Sequence, residues 1–316
     1  MREGGPDVDG GLGLAGPRQL PGLARFSHEA MNTVFEVYAA HPDTRYAAQA
    51  AQAAFELTDR LERELSRFLP NSDITRVNHL GEGDSTRVSP STLECLVIAR
   101  HVFDLTGGAF DVSIGTGLPL LELDPDDVVV RAGKAGVQVD LGGIGKGYAV
   151  DLMAELLDEW GIGAALVHGG FSSVLALEPP PGLDGWPLTL SDPAVPSRVL
   201  ARIQGRQTAL GASGTRKGGH IVDPRSGEPI RGRLAAWVAV PRPQRAGDVE
   251  QGPRIAAAAV TDALTTAFML LEPVEIAALC AHSPGLQAWV LPEPSGGSPG
   301  EAALIHFGGD GVADAS

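Results

Sequence analysis

The chain has 316 residues, 43% hydrophobic and 20% charged, ordinary proportions for a globular protein long enough to bury a sizeable core. Its 24 basic against 39 acidic residues leave a formal charge of −15 with no block of Lys or Arg, which argues against nucleic acid and anionic membrane surfaces as partners, because affinity for either comes from clustered cations. Two cysteines, Cys95 and Cys280, are too few for a disulfide framework or a thiolate metal site, and no stretch reaches the roughly 18 uncharged apolar residues of a membrane helix.

Residues 1–24 are rich in Gly and Pro, lack the basic start and apolar run of an export signal, and are expected to be a disordered tail on a cytoplasmic protein. Residues 31–38 alternate among β-prone types and predict a first strand. Over 44–69, Ala47, Ala51, Ala54, Phe55, Leu61, Leu65 and Phe68 recur at helical spacing, and Pro70 stops the helix. A second helix starts at Ser89-Pro90, where proline's missing N–H costs nothing, and ends near Gly107-Gly108. A third follows the bend at 139–147 and stops at Gly161. From 164 to 240, short β-prone runs at 165–168, 173–177, 188–190, 199–203, 208–210, 220–222 and 236–240 imply successive hairpins in an antiparallel sheet. A surface loop at 241–253, helices at 255–271 and 274–281, last strands at 287–291 and 303–307, and a flexible tail at 311–316 complete the chain. The order of elements predicts an α+β fold, one domain over 25–310, without internal repeats.

Chemistry concentrates at three places. At Val139-Asp140-Leu141-Gly142-Gly143-Ile144-Gly145-Lys146-Gly147, four glycines in six positions open a helix, so amides without intrahelical partners and the Lys146 charge favour an anion such as phosphate. It is not a P-loop, whose first glycine would fall at Asp140, nor the dinucleotide fingerprint, whose spacing also fails; a bend that only packs is about equally compatible with the stretch. At Ser213-Gly214 and 220–229, His220 precedes Asp223 at a turn, where an imidazole can accept a proton; a lone histidine is more often structural. At 261–267, Asp262 and Thr266 lie one turn apart on a helical face and offer hard oxygens suited to Mg²⁺; the plainer account makes Asp262 a helix N-cap.

Together these blocks, with Met31-Asn32-Thr33, Leu65-Ser66-Arg67-Phe68, Ser72-Asp73-Ile74-Thr75-Arg76-Val77-Asn78, Thr106-Gly107-Gly108-Ala109-Phe110-Asp111 and Gly169-Gly170, resemble the FAD:protein FMN transferase (ApbE-like) family in composition and order. The resemblance implies a T-fold-like α+β architecture, an antiparallel sheet with packed helices. It implies FAD as substrate, Mg²⁺, and transfer of FMN to a Ser or Thr hydroxyl of a partner protein with release of AMP. By position it implies that Met31, Phe68, Ala109, Phe110, Asp111, Asp140, Lys146 and Ile221 line the FAD site. Gly143 through its carbonyl, with Asp262, Thr265 and Thr266, would surround the metal, and His220 would assist proton removal. The chain departs from the family's pattern at Asn32, at Phe171-Ser172-Ser173, and in a short interval between Ser213 and His220. FAD pyrophosphatase and FAD-binding module are the alternative readings.

Overall fold

A computed structural model describes residues 12–14, 22–215, 222–243, 256–294 and 303–309. Strand β1 (Leu12–Leu14) lies within the leader expected to be disordered and pairs antiparallel with residues 188–190. Strands β2 (Leu23–Ala30) and β3 (Thr33–Ala40) form a hairpin closed by Met31 and Asn32, with φ of 50° and 56°. Two successive positive φ values are what a two-residue turn needs to match the strand twist, and asparagine tolerates the left-handed region. The expectation that 31–38 is strand from its first residue is therefore corrected: Met31 and Asn32 are the turn.

Helix α1 (Thr44–Leu65) starts where the Asp43 carboxylate accepts the amides of Arg45 and Tyr46 at 2.9 and 3.0 Å. It ends four residues short of the expected Leu69. Ser66 turns extended, and the carbonyls of Arg67 and Leu69 are taken by the Thr75 hydroxyl instead of by a further helical turn. Thr75 belongs to the short helix α2 (Asp73–Asn78), capped by Ser72, which periodicity does not reveal. After β4 (Ser85–Arg87), helix α3 (Pro90–Leu105) begins at its Ser89 cap. β5 (Leu121–Asp124) and β6 (Val129–Ala132) complete a small antiparallel sheet in the order β4-β6-β5. A 3-10 turn at Leu141–Gly143 leads into α4 (Gly145–Glu159), and Gly161 follows it at φ 72°.

The strands that follow are β7 (Ala165–Gly169), β8 (Ser173–Ala176), β9 (Trp186–Ser191), β10 (Val199–Gly205), β11 (Thr208–Gly214) and β12 (Arg233–Pro241). Helices α5 (Ala257–Phe268) and α6 (Pro273–His282) and strands β13 (Gln287–Pro292) and β14 (Ile305–Phe307) close the described chain. Of the expected strand at 220–222 only Val222 is described, in an isolated bridge to Pro229.

The main sheet has eight antiparallel strands in the order β14-β13-β12-β11-β8-β7-β3-β2, so the fold is α+β. Alternation of side chains separates its two faces. Phe35, Val37, Val167, Leu175, Ala209, Ala236 and Val238 face the helices, joining Tyr148, Met153, Leu264 and Phe268 in one core. Leu166, Val174, Leu210, Trp237 and Trp289 face the other way, against Trp186, Leu188 and Leu190 of the three-stranded β1-β9-β10 sheet. Both cysteines are buried thiols. Among the described residues no helix is long and apolar enough to cross a membrane.

Candidate active site at the α4 and α5 N-termini

Gly147, in the first turn of α4, explains how closely α4 and α5 meet: a Cβ there would overlap the carbonyl of Ala258. That approach lets each helix cap the other. The Asp262 carboxylate of α5 accepts the amide of Gly147 at 2.8 Å, and the Asp151 carboxylate of α4 accepts those of Ala258 and Ala259 at 3.0 and 2.8 Å. Neither helix has a side-chain cap at its own N-cap position, so each carboxylate supplies what the partner helix lacks and faces its positive end. Asp262 is thus not the N-cap of its own helix, as the plainer reading had it; it lies mid-helix and caps α4. Among the described residues the amides of Gly145 and Lys146 remain the unpaired donors of that first turn.

Around Asp262 the groups are close. Lys146 Nζ lies 3.4 Å from its Oδ2 and 3.5 Å from the Gly142 carbonyl. The Ser173 hydroxyl, from the first residue of β8, donates to its Oδ1. Burial pushes the Asp262 carboxyl above the usual carboxylate range, and the Lys146 ammonium, the Ser173 hydroxyl and the Gly147 amide oppose that rise. One turn on, the Thr265 hydroxyl donates to the Asp262 carbonyl at 2.8 Å and pairs with Ser213 Oγ of β11 at 2.9 Å, while Thr266 Oγ1 is 3.4 Å from the same Ser213 oxygen. The Cβ position of Gly143 is 3.7 Å from Thr266 Oγ1 and 3.3 Å from the Phe110 ring.

The other described candidates are each held by contacts of their own. Asp140 accepts the Gly142 amide at 2.9 Å and pairs with Arg67 Nε at 3.1 Å, and the Arg67 guanidinium lies 4.7 Å from the centroid of the Phe68 ring. Phe68 is 79% exposed, so this ring lies at the surface rather than filling the core. Asp111 accepts the amides of Ser113 and Gly115 at 2.7 and 2.8 Å, and Val112 gives its carbonyl to the Asp140 amide. Ala109 and Phe110 are buried beside Thr106. Met31 sits at the β2–β3 turn, and its neighbour Thr33 touches Gly170, three residues before Ser173.

His220 and Ile221 lie outside the described residues. Of the described residues before and after them, Ser213 contacts Thr265 and Thr266, and the Pro224 carbonyl lies 2.6 Å from the Cβ position of Gly115. Asp223 and Arg225 form the expected turn, and the Arg225 hydrogen bond holds the Asp223 carboxyl below its usual range.

Sequence reasoning passed over three residues that the geometry makes prominent: Ser173, Asp151 and Arg67. A serine opening an otherwise apolar buried strand is the one local hint, since buried hydroxyls need partners. The oxygen set fits Mg²⁺, which binds through one or two carboxylates, retains waters and takes substrate phosphates.

The ApbE family model matches residues 31–128 and 116–290, more than half of the chain. This chain belongs to the ApbE family. An FAD:protein FMN transferase of Vibrio cholerae is 25% identical over 264 residues, which cover 71% of this chain and 78% of that protein. One of Klebsiella pneumoniae is 24% identical, with 77% and 79% covered. In fold, the chain is similar to the ApbE protein of Thermotoga maritima, with a TM-score of 0.74 at 21% identity over 90% of this chain and 97% of that one. The flavin transferase ApbE of Vibrio cholerae gives a TM-score of 0.73 at 20% identity, over 90% and 96%.

Proposed function

We propose that this ApbE-family chain transfers the FMN moiety of FAD to a Ser or Thr hydroxyl of another protein, with Mg²⁺ and release of AMP. The observation that carries the reading is the convergence of Lys146, the first turn of α4, Asp262 and Thr266 within one group of hydrogen-bonded oxygens and amides. Relatives named FAD:protein FMN transferase support it from a second side.

Transfer from a diphosphate needs charge neutralised on phosphoryl oxygens, an oxygen placed in line, and an acceptor for its proton. The Gly145 and Lys146 amides and the Lys146 ammonium meet the diphosphate. Phe68 and Met31 supply apolar surface for the flavin side of the substrate, with Phe110 packed behind Gly143. Asp262, Thr266 and the Gly143 carbonyl would hold Mg²⁺, which would supply charge stabilisation for the phosphoryl oxygens. Thr265, whose hydroxyl bonds Ser213 and the Asp262 carbonyl, would complete that set. The acceptor hydroxyl oxygen bonds to the phosphorus of the FMN half, the bond from that phosphorus to the bridging oxygen breaks, AMP leaves with that oxygen, and His220 takes the hydroxyl proton.

The test is incubation with FAD, Mg²⁺ and a protein bearing the acceptor hydroxyl. The expected result is an acceptor heavier by one FMN less one water, with AMP in equal amount. Free FMN and AMP with an unchanged acceptor would establish pyrophosphatase activity instead, and intact FAD a binding module.

A further inference from the structure

We propose that the Lys146 ammonium occupies the cation's share of Asp262 until the dinucleotide arrives, so that metal and diphosphate enter this site together and not metal first. The inference rests on the flavin reading above and adds an order of binding to it.

Asp262 is the one carboxylate in the oxygen set, with its side chain 3% exposed, and its oxygens are already engaged. Oδ1 takes the Ser173 hydroxyl, and Oδ2 takes both the Gly147 amide and Lys146 Nζ. A carboxylate has about four lone-pair directions, so one remains. The neighbouring carboxylates are committed elsewhere, Asp140 to Arg67 and the Gly142 amide, Asp111 to Ser113 and Gly115. The other oxygens beside Asp262 and Lys146, those of Thr266 and the Gly142 carbonyl, are neutral. One negative charge from Asp262 and one positive from Lys146 sum to zero, and Mg²⁺ gives up its waters reluctantly. A bare dication approaching this group meets an ammonium already in place and gains little.

A diphosphate reverses the balance. Lys146 is on a flexible stem, its side chain 25% exposed, and its head lies between Asp262 and the Gly142 carbonyl at the rim of the α4 N-terminus. Phosphoryl oxygens beside the Gly145 and Lys146 amides offer the ammonium a stronger counter-charge. As it swings toward them, Oδ2 of Asp262 is released to the cation that the same phosphates attract. Lys146 then serves twice, as placeholder without substrate and as diphosphate ligand with it.

Mn²⁺ binding, read from the electron paramagnetic resonance signal of the free ion, tests this on the whole protein with and without FAD, against FAD and Mn²⁺ alone in buffer. The expected result is weak binding by the wild type alone and at least about tenfold tighter binding when FAD is present. Lys146→Met should bind Mn²⁺ without FAD about tenfold more tightly than the wild type, because a repelling charge is gone, whereas Lys146→Arg should stay weak. Wild type that binds Mn²⁺ equally well with and without FAD overturns the inference, whether or not the Met variant folds. So does a folded Lys146→Met protein with unchanged or weaker affinity; if FAD still tightens wild-type binding in that case, the flavin reading survives alone. Absence of bound Mn²⁺ in every mixture overturns both.

Discussion

At the scale of single residues, the Asp262 carboxylate is held by donors from two elements, Lys146 and Gly147 of α4 and Ser173 of β8, and Ser173 is announced only by its place as the polar first residue of an apolar buried strand. Ser173→Ala removes the donor to Oδ1 and leaves a buried charged acceptor short of one bond, which should cost about 1–3 kcal/mol of stability in urea titrations. The Mg²⁺ concentration needed for half-maximal FMN transfer should rise in the same protein, since Oδ1 of the carboxylate then loses its fixed donor. An unchanged Mg²⁺ requirement would reduce Ser173 to a packing residue. Asn32 poses the opposite question, because there the chain departs from the pattern of the family it resembles. At φ 56° in an exposed two-residue turn, asparagine already fits the left-handed region, so Asn32→Gly should move stability by no more than about 0.5 kcal/mol. A melting temperature raised by many degrees would show that the side chain strains the turn after all.

At the scale of elements, α4 and α5 are locked by their exchanged carboxylates, and Asp151 is the half given no part in the proposed reaction. Burial raises its carboxyl to about 7, the amides of Ala258 and Ala259 and the Arg242 charge acting against that rise and Glu155 with it. The unfolded value is near 3.9, so between about pH 4 and 7 the native state holds a proton that the unfolded chain releases, and stability falls as pH rises through that window. Asp151→Asn removes this slope. The variant's stability relative to wild type should therefore improve by about 1 kcal/mol or more from pH 5 to pH 8 in denaturant titrations, even though it loses an acceptor for one amide. Parallel pH profiles for the two proteins would mean that Asp151 is ionised throughout. Such an exchange is hidden from the sequence, since Asp151 and Ala258 are 107 positions apart. The helices themselves were legible: α1, α3, α4 and α5 carry long periodic faces, and Ser89-Pro90 and Gly161 mark their limits. Strands of three or four residues, β4, β5 and β6, are too short to show alternation, and the Met31-Asn32 turn lacks the glycine that usually announces one. The candidate site was legible as separate oxygen-rich and glycine-rich blocks, but not as hydrogen bonds, because Asp262, Ser173 and Gly147 meet only through the packing of α5 on α4 and β8.

At the scale of the molecule, one eight-stranded sheet serves two cores, and the chemistry lies on only one side of it. The helix face carries α4, α5 and the site; the other face is covered by β1, β9 and β10 around Trp186, Leu188 and Trp237. Both faces must form for the sheet to be dry, so stability should respond to damage on either, whereas substrate affinity should respond only to damage on the helix side. Leu188, 1% exposed and in the far core, separates the two effects. Truncation to alanine deletes buried carbon and leaves a cavity, and should cost about 2–5 kcal/mol. Leu264, equally buried but on α5 two residues after Asp262, should cost a similar amount on truncation and also displace the turn that bears Thr265 and Thr266. FAD titrations at a temperature where both variants remain folded should then give wild-type affinity for Leu188→Ala and weakened affinity for Leu264→Ala. Equal losses in the two would show that the far sheet is coupled to the site through the strands, because a packed interior transmits strain, and the division of labour between the two faces would have to be abandoned.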